Sequence, residues 1–417
     1  MARKKQKMHY AWLILIACCM MQGAGLGLIS NCAGVFYSPV CSDLGFEMGR
    51  FTLYRTLFTV SQALMMPFVA KSFRKYDVRV IVSAAAVFMG GISIMMGSFT
   101  ELWQWYVFGI IQGFASSFIS MIPAPILIGN WFYKQTGTAV GIAAAFSGLV
   151  GMMGSSGLGI LIPAVGWQTS YVVIGIVVMV LILPFSLFVL RYKPEDKGML
   201  PYGVEGVRAA SGRTAKSSSL ETKEKLSGFI RQPIFVISLV SYACCIISSY
   251  LNAFLTSCGL EVGMTMGMAA TLTSLALCGN MTTKLFLGKF CDSFGVIKVF
   301  VISILIAIAG HVLILMGIPS GMMAGSLLYG ITMPLSTVLL PLFCRLFWQG
   351  DTYGAAYSYV SMFGMLLAAP FNTWFGTFYD MTGSYDLTIG VSAFCIVIVL
   401  ALVIMAGKSL RKSAWKA

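Results

Sequence analysis

Residues 264–298, MTMGMAATLTSLALCGNMTTKLFLGKFCDSFGVIK, decide the fold. Apart from one charge, the run stays apolar or small over the ~20 residues that a helix needs to cross a bilayer. The charge is Lys284. Asn280 lies one turn earlier and Thr273 two turns before that, so the three share a face at helical spacing. Asp292 and Gly295 mark the exit into a short turn. Lys284 precedes Asp292 by about 12 Å of helix rise, which puts it a few Å to the inner side of the midplane of a core about 30 Å thick. A lysine at that depth costs about 2.5–3.5 kcal/mol on insertion scales. It either snorkels along its own stem to the headgroups or faces a water-filled cavity with Asn280 beside it. In the second case it attracts an anion.

The composition agrees with a polytopic membrane chain: 58% hydrophobic, 10% charged, mean hydropathy +0.86. A net charge of +14 would suggest nucleic acid in a soluble protein. Here the basic residues sit between apolar runs, so the positive-inside rule accounts for them and no nucleic-acid partner is expected. The basic start ARKKQK leads into a full-length span without a small-residue cleavage site, so no cleavable signal is expected. Most of the eleven cysteines fall in or near apolar spans and read as small core residues. No Cys/His pattern has metal-ligand spacing, and no metal or cofactor is expected.

Twelve spans can be drawn, at 9–37, 50–71, 78–97, 103–129, 137–162, 168–191, 232–256, 265–290, 296–317, 320–347, 353–377 and 387–407. Twenty-five of the 28 Lys and Arg residues then lie on one side. Both termini are therefore expected in the cytoplasm, across a bacterial cytoplasmic membrane. The three left over are Arg50, Arg55 and Lys284. The polar stretch 192–231 reads as a flexible cytoplasmic linker between six-helix bundles at 1–191 and 232–417. The halves echo one another. NWFYKQTGTAVGIAAAFSGL follows span 4 and RLFWQGDTYGAAYSYVSMFGML follows span 10, each with aromatics, a polar turn and a small-residue helix. The expected fold is all-α, with twelve transmembrane helices in two bundles and a site between them near the midplane. Span 5 carries Gly148, Gly151, Gly154 and Gly159 among others, a spacing that permits close helix approach.

The chain resembles major facilitator superfamily transporters of the monocarboxylate-porter and oxalate:formate-antiporter group, over nearly its whole length. The resemblance rests on NCAGVFYSPVCSDLGF in span 1, NWFYKQTGTAVGIAAAFSG across spans 4 and 5, VGWQTSYVVIG, RYKPEDKGMLPYG after span 6 and KLFLGKFCDSFG ending span 8. The PEDKG-x-x-PYG stretch is the most specific. In that group span 8 usually carries Arg-Pro-x-x-Gly, whose Arg binds the substrate carboxylate. Lys284 to Gly288 is the matching run here. Lysine keeps the charge and loses the planar fork. Asn280 falls where proton-coupled animal members have an Asp. The second cation of the dicarboxylate-exchanging antiporter, in span 11, matches a position near Gly364 and is absent here. The 2–3 loop is a degenerate copy of the superfamily's gating loop, with Arg74 where an Asp is usual.

Arg55 is the remaining candidate for a second cation. It is read either as an arginine at the outer rim of span 2 or as a group turned into the cavity. Gln22 and Asn31 in span 1, Tyr329 in span 10, and Tyr357 and Tyr359 in span 11 are polar or aromatic residues able to orient a carboxylate. No acid falls mid-span, which argues for exchange or facilitated diffusion over proton-driven symport. The expected function is alternating-access transport of a small organic anion by a monomer. The anion is expected to be a monocarboxylate, because Lys284 is the only firmly intramembrane cation, with a dicarboxylate as the alternative if Arg55 turns inward. A sensor or scaffold that kept the fold is the alternative. A membrane enzyme is not expected, because the spans lack a His/Asp/Glu or Ser/His constellation.

Overall fold

The computed structural model describes residues 9–120, 122–204, 232–348 and 350–414. These residues form helices and no strand, with one isolated bridge between Phe132 and Tyr202. Among them, seven helical stretches are long and apolar enough to cross a membrane: Tyr10–Leu44, Val78–Met96, Thr136–Phe188, Pro233–Ala253, Val296–Leu315, Pro319–Arg345 and Asp386–Lys408. They are spans 1, 3, 5 with 6, 7, 9, 10 and 12. Spans 5 and 6 run on as one 53-residue stretch that turns at Gly166, with φ 83° and ψ 162°. That backbone region is open essentially to glycine alone. Span 2 is Met48–Lys75 and span 8 is Met266–Phe294. Span 4 is split into Leu102–Ser117 and Pro123–Trp131, and span 11 into Gly350–Ala368 and Phe371–Thr382. These four are the polar or broken spans, and they carry Arg55, Lys284, Gln112 and Asn372. The result is an all-α array of long helices, most of them apolar enough to cross a membrane.

Spans 1, 4, 7 and 10 are each interrupted. Span 1 passes into a π-helix at Gly23–Asn31, and span 10 does so at Leu335–Leu339. Span 7 tightens to a 3-10 turn at Leu251–Ala253, and span 4 breaks before Pro123. Irregular backbone at membrane depth persists only where protein buries it or where it lines a cavity. π segments concentrate at functional sites.

Helix ends are fixed locally. Thr265 caps span 8 by accepting from the Met268 N–H at 3.4 Å. Asp77 caps span 3 by accepting from the Arg79 N–H at 2.9 Å, and its carboxylate also pairs with the Arg79 guanidinium at 2.7 Å. Those hydrogen bonds hold the Asp77 carboxyl below its usual range. Gly295, at φ 86°, joins span 8 to span 9, and Asp292 is exposed beside that turn. The Arg74 side chain lies outside the described residues, as do residues 205–231.

The start of the expected linker is not free. Pro194–Lys197 forms a 3-10 turn, and the Tyr202 ring lodges among His9, Trp12 and Phe132 at 5.5–5.7 Å. Tyr202 also donates its N–H to the Trp131 carbonyl at 2.8 Å. This segment is tied to the ends of spans 1 and 4.

Contacts between the first six spans and the last six gather in the half of the protein away from the termini. Ser38 donates to Ser257 at 2.9 Å, and the Asn252 amide donates to the Asn31 carbonyl at 3.2 Å. Asp380 accepts from the N–H groups of Met48 at 2.9 Å and Gly49 at 2.6 Å, at the start of span 2. Thr56 meets Thr373 at 2.8 Å. Span 5 lies along span 8 through Ser155 to the Ala270 carbonyl and Ser156 to Ser274, both 2.9 Å. A Cβ at Gly148, Gly151 or Gly159 would overlap Met281, Leu277 or Ala270, so these glycines set the helix separation. Nearer the termini, nothing stands within 4 Å of a Cβ at Gly137, Gly141 or Gly288.

Gly34 makes the tightest of these approaches. A Cβ there would sit inside the Ala253 carbonyl. Gly34→Ala is expected to hold this closure apart. Overpacking costs about 1–3 kcal/mol, enough to move a conformational equilibrium about tenfold. Maleimide should label Ser38→Cys correspondingly faster in the Gly34→Ala background, with Cys41 replaced by serine. An unchanged labelling rate would show that the contact does not control closure.

Candidate functional site

A cavity of about 160 Å³ sits beneath this closure, between the two sets of six spans. It is much smaller than the ~300–1,000 Å³ typical of sites for drug-sized ligands. Span 8 delivers Lys284 and, one turn earlier, Asn280. Close packing of span 8 on span 10 sets their direction: a Cβ at Gly279 would strike the Leu327 carbonyl, and one at Gly330 would strike the Ala276 carbonyl. Thr273, two turns before Asn280, does not line the cavity and instead meets Thr256 at 3.0 Å.

Span 2 delivers Arg55, Thr59 and Gln62 at i, i+4 and i+7, one face of a helix. Arg55 is only 8% exposed. Its guanidinium carbon stands 4.2 Å from the centre of the Phe58 ring and 6.0 Å from that of Tyr54, so the ring faces hold the charge where water is scarce. Gln62 donates to Ser116 at 3.0 Å, which fixes this face against span 4. Of the two positions the sequence leaves open for Arg55, the structure has the inward one: the residue is buried and borders the same cavity as Lys284. Neither cation has a carboxylate partner among the described residues, and no acid lines the cavity.

The irregular segments supply the remaining polar wall. Ser30 and Asn31 come from the π stretch of span 1, and Ser336 and Thr337 from that of span 10. Tyr250 and Asn252 come from the break in span 7, and Asn372 from the second half of span 11. The side-chain oxygens of Asn280 and Asn252 are buried and find no hydrogen-bond partner among the described residues. Such an orphan costs about 1–3 kcal/mol.

Of the sequence candidates, Lys284, Asn280, Arg55 and Asn31 meet at the cavity, whereas four others do not. Gln22 is buried in span 1 before the π stretch. Tyr329 donates its hydroxyl to the Ser248 and Ser249 carbonyls at 2.9 and 3.1 Å and packs against His311. Tyr357 stacks on Tyr353, and Tyr359 on Phe363. Gly364 has no room for a side chain because the Tyr242 ring fills its place. The sequence reading missed Thr59, Gln62, Asn252 and Asn372. Their signal was an uncharged amide or hydroxyl within a span, as in YLNAF and PFNTW.

Comparison with known proteins gives three results. The curated relative described as the uncharacterized MFS-type transporter YcxA of Bacillus subtilis (strain 168) is 22% identical over 192 residues, 44% of this chain and 45% of that one. The match thus spans under half the length of that relative. Among solved structures, a bacterial homolog to the human lysosomal transporter Spinster, in an inward-facing and unoccupied conformation, aligns over 97% of this chain and 95% of its own. Its TM-score is 0.65 at 15% identity. The nucleoside transporter NupG aligns over 95% and 99%, with a TM-score of 0.72 at 12% identity. These identities speak for the fold alone. The family model of the Major Facilitator Superfamily matches residues 13–279, well over half of the sequence, and the chain belongs to that superfamily.

Proposed function

We propose that the protein carries a small organic anion across the membrane by alternating access, and that the anion bears two negative charges. The observation behind this reading is the pair of cations, Arg55 and Lys284, bordering one small cavity that no acid lines. A single buried cation neutralises one carboxylate, and a second carboxylate left unpaired in such a site costs several kcal/mol. With Arg55 turned inward, a short dicarboxylate is better served than the monocarboxylate that one cation would imply.

The halves of the chain divide the work. Residues 1–191 supply Arg55, and residues 232–417 supply Lys284. An anion between them draws the halves together, while two like charges brought together alone repel one another. Closure is then favoured only when loaded, which makes the protein an exchanger. On the positive-inside reading, which has the termini in the cytoplasm, the closure lies on the outer side of the membrane.

A thermal-shift panel tests the substrate class. A ligand at a hundred times its Kd stabilises the folded state by about 2.7 kcal/mol. Short dicarboxylates should raise the melting temperature more than monocarboxylates of equal chain length. Equal or larger shifts with the monocarboxylates would reject the dianion reading.

A further inference from the structure

Two adjoining recesses lie on the flank of spans 2, 3 and 4, away from the cavity that Arg55 and Lys284 border. At the terminal face a recess of about 680 Å³ is bordered by Lys75, Arg79, Arg191 and Lys193, with Asp77 and Asp196. Asp77 is taken up by Arg79 through both carboxylate oxygens, at 2.7–3.2 Å. Asp196 accepts from the Lys193 backbone N–H at 3.0 Å. Four cations against two acids leave the recess with two positive charges in excess. Lys75 is held over the Tyr76 ring at 5.2 Å, and Arg191 is anchored through one guanidinium nitrogen to the Leu190 carbonyl at 2.7 Å.

Next to it, on the outer surface of the helices, runs a cleft of about 320 Å³ lined by Ile81, Ala84, Phe88, Ile111, Phe114 and Phe118. Phe88 and Phe114 are 60% and 46% exposed. The two spaces share Tyr76, which sits between the last residue of span 2 and the cap of span 3, where an aromatic ring marks the membrane interface. A basic recess at the interface thus continues into an apolar cleft at acyl depth.

We propose that this composite site binds one anionic phospholipid, with its phosphate among Lys75, Arg191 and Lys193 and one acyl chain along Ile81, Phe88 and Phe114. The positive excess selects an anionic headgroup over a zwitterionic one. The continuous cleft selects a lipid over a soluble phosphate compound, which would fill the recess alone.

The test is native mass spectrometry of the full chain in detergent, titrated separately with phosphatidylglycerol, phosphatidylcholine and glycerol 1-phosphate. One phosphatidylglycerol should bind per chain, much more tightly than the other two. Arg191→Gln with Lys193→Gln should weaken it about thirtyfold, at the usual contribution of a basic residue near an anionic lipid surface. Lys193→Gln alone, at an exposed side chain, should weaken it about fivefold and covers the case in which the double variant does not fold. Ala84→Trp, which fills the cleft, should weaken phosphatidylglycerol and leave glycerol 1-phosphate unchanged. Lys289→Gln, an exposed cation on span 8, should change nothing. Wild-type affinity in the recess variants, or glycerol 1-phosphate binding as tightly as the lipid, would overturn the proposal.

Discussion

Lys284→Gln should abolish anion uptake while the protein still folds and reaches the membrane. Breaking a buried charge pair by removing one partner typically costs about 3–5 kcal/mol, or about two to four orders of magnitude in affinity. The glutamine keeps most of the side-chain volume, so the cavity wall stays intact and the loss is electrostatic. Lys284→Arg keeps the charge but places a planar fork where a point charge stood, and should retain part of the activity. Initial uptake rates in proteoliposomes, at matched amounts of monodisperse protein, decide the matter. Normal uptake by the glutamine variant would remove Lys284 from the site.

Arg55→Gln should be as damaging, and equally so at low and high salt. A cation at the mouth of a cavity acts through its field and is screened once the Debye length falls to a few Å. Arg55 instead lies 8% exposed against Phe58 and borders the same cavity as Lys284. Its interaction with a bound anion is therefore poorly screened. Dicarboxylate binding measured by calorimetry at two ionic strengths separates the cases. Loss at both supports a second anchor. A modest loss confined to low salt would return Arg55 to a steering role and monocarboxylates to first place.

Most spans were legible because a membrane crossing needs an apolar run of sufficient length, which spans 1, 3, 5, 6, 7, 9, 10 and 12 supply. Lys284 and Asn280 were legible for the converse reason: a charge inside such a run is costly, and the amide one turn away shares its face. Arg55 was harder. Depth counted along a sequence places a residue near a span's end without saying which way its side chain points, and only the packing of span 2 on spans 4 and 11 turns Arg55 inward. The tyrosines misled for a related reason. A phenol inside a membrane satisfies its hydroxyl wherever an open carbonyl lies, and Tyr329 finds those of Ser248 and Ser249 at the break in span 7. The π stretch at Leu335–Leu339 then alters the register of span 10, so that Ser336 and Thr337 line the wall. Gln22 and Asn31 fall about 180° apart on a straight α-helix, and only Asn31, at the end of the π stretch, reaches the cavity. Composition does not show that the start of the segment after span 6 is tied down, by the Pro194 turn and the Tyr202 ring; residues 205–231 lie outside the described residues.

The central claim is that an anion held between Arg55 and Lys284 is what allows the two halves to close. Counterflow tests it most directly. Proteoliposomes are loaded with an unlabelled short dicarboxylate or with buffer alone, and initial uptake of the labelled acid is compared with and without an imposed pH gradient. Internal dicarboxylate should accelerate uptake strongly, and the pH gradient should change it little. Uptake that ignores the internal anion and follows the proton gradient would contradict the account.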